Sequence, residues 1–183
     1  MTVPGVGVSG FTINIPQAQV DGFEVDGSIN PSEGIELGGA LAHTRGRFTK
    51  NVSALFGTIN RYGPYPDTPR WTGNVYAQVS ASLGETIGKL TVRGEVYAQK
   101  GYYFSSLAGT ITPRTRLPGY RLANFRVGLD DVAQSGVSLA LYVKNAFNKI
   151  YYVGGLPTGN VLSINTAIPG ERRTIFGEVK VKF

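Results

Sequence analysis

The chain has 183 residues, a formal charge of +6 and a mean hydropathy of -0.05, with 25 glycines, 10 tyrosines and no cysteine. The missing cysteine excludes a disulfide framework and a thiolate metal site, and a single histidine, His43, cannot build a His-rich zinc site; on its strand it reads as a residue near the outer rim rather than as the base of a Ser-His pair. No run approaches the ~18 apolar residues of a membrane helix, so the chain crosses a bilayer, if at all, as strands.

From the N-terminus, Met1 to Gly10 shows neither the basic region nor the apolar core of a signal peptide, so no signal peptide is expected. Gly5, Gly7 and Gly10 formally match GxGxxG, but no strand precedes them and no helix follows, and they read as loop glycines. Residues 1–15 are expected to be the tail of an outer loop. Period-two alternation, the signature of a strand between two different environments, is weak at 16–30 and 34–45. It is clear at 70–83, where Trp71, Val75, Ala77, Val79 and Leu83 share a face. At 88–100, Leu90, Val92, Gly94, Val96 and Ala98 alternate with Thr91, Arg93, Glu95, Tyr97 and Gln99. Segment 119–129 aligns Ala123, Phe125, Val127 and Leu129; segment 136–148 sets Val137, Leu139, Leu141, Val143 and Phe147 against Ser138, Tyr142, Lys144 and Asn148. In 171–183, Arg173, Ile175, Gly177, Val179, Val181 and Phe183 oppose Thr174, Phe176, Glu178, Lys180 and Lys182. The total is about seven strands, each near the ~9–11 residues that cross a bilayer with tilt.

A soluble antiparallel sandwich also alternates; the connections favour a membrane barrel. Compact turns at 30–34, 84–88 and 130–136 alternate with long stretches at 46–69, 105–118 and 154–170. Long structureless loops are uncommon inside compact domains, whereas outer-membrane barrels place short turns on the periplasmic side and long loops outside. Tyr62, Tyr65, Trp71, Tyr102, Tyr103, Phe104, Tyr120, Tyr151 and Tyr152 all fall at the ends assigned outside, where an aromatic girdle is expected. Arg45, Arg47, Lys50, Arg61 and Arg70 surround one outer loop and Lys100, Arg114, Arg116 and Arg121 the next. These cations suit the phosphates of outer-membrane lipid and lipopolysaccharide, or else an anionic ligand. The expected fold is all-β: an antiparallel up-and-down transmembrane β-barrel segment of about seven strands of a larger barrel, with short periplasmic turns and long extracellular loops, in the bacterial outer membrane. The inward set Arg93, Glu95, Tyr97, Gln99, Arg126, Lys144, Glu178, Lys180 and Lys182 calls for a wide wet lumen, because a narrow one would have to pair nearly all of it.

Two other classes stay open. A self-contained small barrel, serving as pore, adhesin or structural protein, would need a further strand from 3–14, whose alternation is poor. A lipocalin-like soluble binder would turn its apolar side chains inward. Catalytic motifs are thin: Asp130-Asp131 reads as turn capping, Asn51-Val52-Ser53 is a glycosylation pattern without meaning in this compartment, and no enzyme, cofactor or metal site is expected. Rings bunched at strand ends do not form the continuous stacking face of a nucleic-acid binder, so no nucleic-acid partner is expected.

The residues also carry a family resemblance. Val143-Lys144-Asn145-Ala146-Phe147-Asn148-Lys149, Tyr151-Tyr152, Pro169-Gly170-Glu171-Arg172-Arg173-Thr174 and the terminal Phe183 resemble the C-terminal end of TonB-dependent outer-membrane receptors. Gly22-Phe23-Glu24-Val25 and Pro66-Asp67-Thr68-Pro69-Arg70-Trp71 resemble two earlier strand motifs of that family. Several motifs in the right order, from about Ile15 onward, make the resemblance specific. It implies that 16–183 is the C-terminal part of a barrel of about 22 strands, with the plug domain, the TonB contact and the signal peptide lying outside the chain, whether as a truncated frame or an excised fragment. It also implies uptake of scarce nutrients, chiefly ferric siderophores, with transport not expected of this portion alone. The partners implied are the plug and TonB of the full-length parent and an anionic ligand such as a ferric siderophore. Ligand contact would then fall to Tyr62, Tyr65, Arg70, Tyr102, Tyr103 and Arg114, by ring stacking and charge pairing. Ile175, Val179, Val181 and Phe183 form the signal that the barrel-assembly machinery reads, as resemblance to outer-membrane proteins generally implies. Deleting Phe183 is expected to lower insertion of the chain into the outer membrane, measured as the heat-modifiable folded fraction on gels; full insertion of the deletion would count against that role.

Overall fold

The computed structural model describes residues 2–3, 7–8, 17–50, 52–55, 58–106, 115–158 and 164–182. Seven strands form one antiparallel sheet in which each pairs with its neighbours in sequence. They are β1 (Gln17–Ser32), β2 (Ile35–Lys50), β3 (Trp71–Ser82), β4 (Lys89–Gln99), β5 (Tyr120–Asp130), β6 (Val137–Lys144) and β7 (Thr174–Val181). Among the described residues no helix is long and apolar enough to cross a membrane.

Register turns the sequence alternation into two chemically distinct faces. Val79, Val92, Val127, Leu141 and Gly177 form one row across five strands, while the adjacent row on the opposite face holds Gln78, Arg93, Arg126, Tyr142 and Phe176. The apolar face is the uncovered one: Val75 is 65%, Leu141 52% and Val179 68% exposed, whereas Thr91 on the polar face is 6% exposed. A soluble fold cannot leave a face of this kind bare, which removes the lipocalin-like arrangement. From Leu90 to Ala98 the apolar face of β4 runs about 26 Å at the usual strand rise, close to the height of a bilayer's apolar band.

The polar face is internally bonded. The Arg93 guanidinium lies 3.5 Å from the Tyr76 ring centroid and 3.7 Å from Glu95, and the Tyr76 hydroxyl donates to Glu36 at 2.6 Å. Farther along, Arg126 donates to the Tyr142 hydroxyl at 3.1 Å, and Tyr142 stacks on Phe176 at 4.7 Å. Apart from the Arg93–Glu95 pair, which lies within β4, these contacts run sideways from strand to strand, so they hold the wall laterally.

At the short-turn end, tight geometry selects glycine. Gly34, at φ +75, accepts a hydrogen bond from Ser80 N–H at 2.6 Å, and a Cβ there would strike the Ser80 carbonyl. The turn from β5 to β6 is closed by Asp131, at φ 51, whose carboxylate accepts from Gly136 N–H at 3.0 Å.

Three stretches expected to be irregular are partly ordered. β2 continues past Arg45 to Lys50, because Thr44, Gly46 and Phe48 extend its inner face and Phe48 finds aromatic partners. Antiparallel ladders then join Val52–Leu55 to Thr58–Arg61, Tyr102–Tyr103 to Arg116–Leu117, and Tyr152–Leu156 to Thr166–Pro169. Conversely β6 ends at Lys144, before Phe147, although the apolar alternation runs on. Asn145 takes φ 46 there and leaves the ladder.

That asparagine is 3% exposed. Its side-chain amide donates to the carbonyls of Lys149 at 2.9 Å and Glu171 at 3.0 Å, its Oδ1 accepts from Lys149 N–H at 2.9 Å, and its own N–H donates to Asn124 Oδ1 at 3.0 Å. Asn148 Oδ1 accepts from Arg173 N–H at 3.1 Å. The two asparagines thus stitch the end of β6 to the start of β7 and to β5, which is why the Val143–Lys149 and Pro169–Thr174 motifs occur together.

The sheet is open. β1 and β7 are its edges, every residue in both is exposed, and among the described residues neither outer edge is paired. Thr2–Val3 pairs with Gly7–Val8 and not with the wall. The closed small barrel would need β1 to meet β7, and the two lie at opposite edges. Pro31, which has no N–H to donate, is accommodated in an edge strand.

Asn145→Gly keeps the left-handed backbone and removes the amide. The expected cost is about 2–4 kcal/mol, from the lost bonds and the buried carbonyls left without donors, read by urea unfolding of the vesicle-inserted chain through its one tryptophan, Trp71. Wild-type stability in this variant would mean the knot is ornamental.

Candidate functional site

The long-connection end of the sheet gathers the residues that the sequence marks as candidates. Backbone hydrogen bonds tie the segments together: Thr44 N–H to Arg70 carbonyl at 3.1 Å, Gly63 N–H to Ser106 carbonyl at 2.8 Å, and Asp67 N–H to Tyr103 carbonyl at 2.8 Å. Between them opens a concavity of about 630 Å³.

One side of it is aromatic. The Phe48 ring lies 5.6 Å from Tyr62 and 5.4 Å from Tyr65, and a Cβ on Gly46 would strike the Tyr65 ring, so glycine at that position lets the ring lie against β2. Four cations, Arg47, Arg70, Lys100 and Arg116, join the lining beside neutral residues such as Thr44 and Thr68. Arg47 is held by Gln19 at 2.7 Å and Asp21 at 3.7 Å; the other three form no ion pair with a described residue. Rings beside guanidinium and ammonium groups can stack a planar group and neutralise an anion at once.

Five of the six ligand candidates, Tyr62, Tyr65, Arg70, Tyr102 and Tyr103, line this one concavity, and Arg114 lies outside the described residues. They differ in exposure. Tyr62 and Tyr102 are 4% and 8% exposed, whereas Tyr103 is 40% exposed. Tyr102 packs with Phe104, Leu117 and Tyr152 in a small buried cluster and donates its hydroxyl to the Val153 carbonyl at 2.8 Å, tying two outer segments together. Phe48 was not singled out in the sequence; the alternation Thr44, Gly46, Phe48 beyond the expected strand end carried the signal. Ile175, Val179 and Val181 are exposed along the apolar face of β7, and Phe183 lies outside the described residues. Among the described residues no three His, Asp or Glu side chains converge as metal ligands would.

Burial, followed by the nearby charge of Asp67 and the Tyr97 phenol, pushes the Tyr102 hydroxyl above its ordinary value. A folded-state pKa raised in this way gives stability that is intact below about pH 10 and is lost as pH climbs past it. Limited proteolysis of the outer segments should therefore accelerate above that pH in the wild type. Tyr102→Phe, which loses a bond worth about 0.5–1.5 kcal/mol, should be cleaved faster at neutral pH and lose the alkaline step; a pH-independent wild-type rate would contradict this.

Residues 1–168 match the family model described as TonB dependent receptor-like, beta-barrel. Among solved structures, the chain is similar to the ferric yersiniabactin uptake receptor FyuA from Yersinia pestis, at 22% identity and a TM-score of 0.66, over 87% of this chain and 22% of that one. It is likewise similar to the siderophore receptor PiuA from Acinetobacter baumannii, at 16% identity and a TM-score of 0.64, over 88% of this chain and 21% of that one. The copper transporter OprC matches at 16% identity and a TM-score of 0.65, over 91% of this chain and 23% of that one. At such identities the likeness is one of fold, and the chain spans between a fifth and a quarter of each of these structures. No curated protein matches it.

Proposed function

The chain belongs to the TonB-dependent receptor family of outer-membrane β-barrels, and from that membership we propose that it serves as one part of a receptor wall whose outer end captures an anionic metal chelate, with a ferric siderophore as the leading class. Residues 16–183 are the wall in this reading and 1–15 belong to an outer loop. A plug within the completed barrel and TonB beneath it are the partners that would complete transport, and β7 with Phe183 is the stretch offered to the barrel-assembly machinery.

The observation that carries the reading is the concavity in which Tyr65, Tyr103, Arg70, Lys100 and Arg116 face one volume above a sheet that presents its apolar face outward. The buried Tyr62 and Tyr102 support the site, while the exposed Arg70 and Tyr103 meet the ligand. Receptors named for ferric yersiniabactin and for siderophores share the fold, which supports a chelate; the copper transporter among the similar structures widens the class to other metals.

The test is made in the complete receptor that carries this wall. Arg70→Gln combined with Tyr65→Ala and Tyr103→Ala is expected to weaken ferric-siderophore binding at least tenfold, about 1.4 kcal/mol or more, with folded barrel levels unchanged. Unaltered affinity would remove the site from ligand capture.

A further inference from the structure

The make-up of the loop-end concavity limits what it can hold. Among the described residues its lining carries no Asp, Glu, His, Cys or Met side chain. A bare metal ion therefore meets no carboxylate, imidazole or sulfur ligand there, and the cations in the lining repel it. Of the phenols, Tyr62 and Tyr102 are buried, and the Tyr102 hydroxyl is committed to the Val153 carbonyl. Recognition has to act on the outer shell of a chelate whose metal is already enclosed.

The cations set the charge of that shell. Arg47 is already held by Asp21 at 3.7 Å. Arg70, Lys100 and Arg116 are exposed, form no ion pair with a described residue, and line the same volume. Asp67, the acid on the outer segment that leads to Arg70, is not part of the lining. Three uncompensated cations around one volume favour a trianion. A smaller charge leaves a cation unmatched, and a neutral ligand displaces their hydration without Coulombic return.

The rings set its shape. Phe48, Tyr62 and Tyr65 form one aromatic wall, and Tyr103, 40% exposed, adds an open ring to the same volume. Such a surface favours a flat aryl group over an aliphatic chain. Ferric donor sets separate on these two requirements. A tris-hydroxamate complex is neutral, a citrate complex is anionic but aliphatic, and a tris-catecholate complex is a trianion that carries three aryl rings. We propose that the concavity selects a trianionic aryl chelate of the tris-catecholate kind. Arg70, Lys100 and Arg116 read its charge, and Phe48, Tyr65 and Tyr103 contact its rings. The selection rests on the chelate-capture reading and narrows it: the site reads the organic shell and is indifferent to which trivalent metal the shell encloses.

The complete receptor that carries this wall is titrated by calorimetry with the ferric complexes of a tripodal tris-catecholamide, of the tris-hydroxamate on the same tripod, and of citrate. The gallium(III) tris-catecholamide and copper(II) ion alone are titrated beside them. The ferric tris-catecholamide is expected to bind at least tenfold tighter than the other two ferric complexes, its gallium counterpart within twofold of it, and copper(II) not at all. Lys100→Gln combined with Arg116→Gln should weaken tris-catecholamide binding at least tenfold. Lys100→Arg combined with Arg116→Lys, which keeps both charges, should stay within threefold of the wild type, so that the first loss is one of charge and not of fold. Equal or tighter binding of the hydroxamate or citrate complex would overturn the selection and leave the capture site standing. Capture of bare copper(II), tenfold weaker binding of the gallium complex, wild-type affinity in the neutral pair, or an equal loss in the charge-keeping pair would overturn it as well. If no ferric complex binds, the capture reading fails and this selection fails with it.

Discussion

The structure depends on a solvent that cannot hydrogen-bond. In hydrocarbon every backbone N–H and C=O must find a partner within the protein, and a sheet that lies against lipid has to turn its apolar side chains outward. The rows through Val79, Val92, Val127 and Leu141 obey this constraint, and the polar rows behind them satisfy one another through Arg93, Glu95, Tyr76 and Glu36. The same constraint applies to the open edges of β1 and β7, whose backbone groups would face lipid without partners. Further strands of a larger wall relieve that, which is why the seven-stranded sheet reads as part of a barrel.

The two ends of the strands answer to different demands. At the short-turn end, Gly34 and Asp131 make reversals so tight that a side chain or the wrong backbone region would spoil them. At the other end the connections are long enough to fold back on the wall, and the chain fastens them with Asn145, Asn148 and the Tyr102–Val153 bond. Anchoring near the wall holds Arg70, Tyr103, Lys100 and Arg116 in place at this end, which in the proposed capture site would lower the ordering cost of binding.

Most of the wall was legible because period-two alternation is a direct imprint of a two-sided environment. Segments 88–100 and 119–129 differ from β4 and β5 by a residue or so at either end. The end of β6 was not legible: Val143, Asn145 and Phe147 continue the alternation, and only the positive φ of Asn145, held by a distant carbonyl on Glu171, breaks it. The extension of β2 was hidden for the opposite reason, since Arg45, Arg47 and Lys50 look like loop residues until Phe48 is seen against Tyr62 and Tyr65. The loop-end concavity was readable as composition, Tyr and Arg in the outer stretches, but its convergence comes from backbone bonds between segments far apart in sequence.

The central claim is the orientation of the two faces, and the absence of cysteine allows it to be measured directly. Single cysteines at Val75, Val79, Val92 and Val127, and at Gln78, Thr91, Arg93 and Arg126, are labelled with a nitroxide in the membrane-inserted chain, and accessibility to oxygen is compared with accessibility to a water-soluble nickel chelate. The account predicts a period of two, with oxygen dominant at the valines and the nickel chelate dominant at their neighbours. Nickel access at the valines, or no alternation at all, would contradict it.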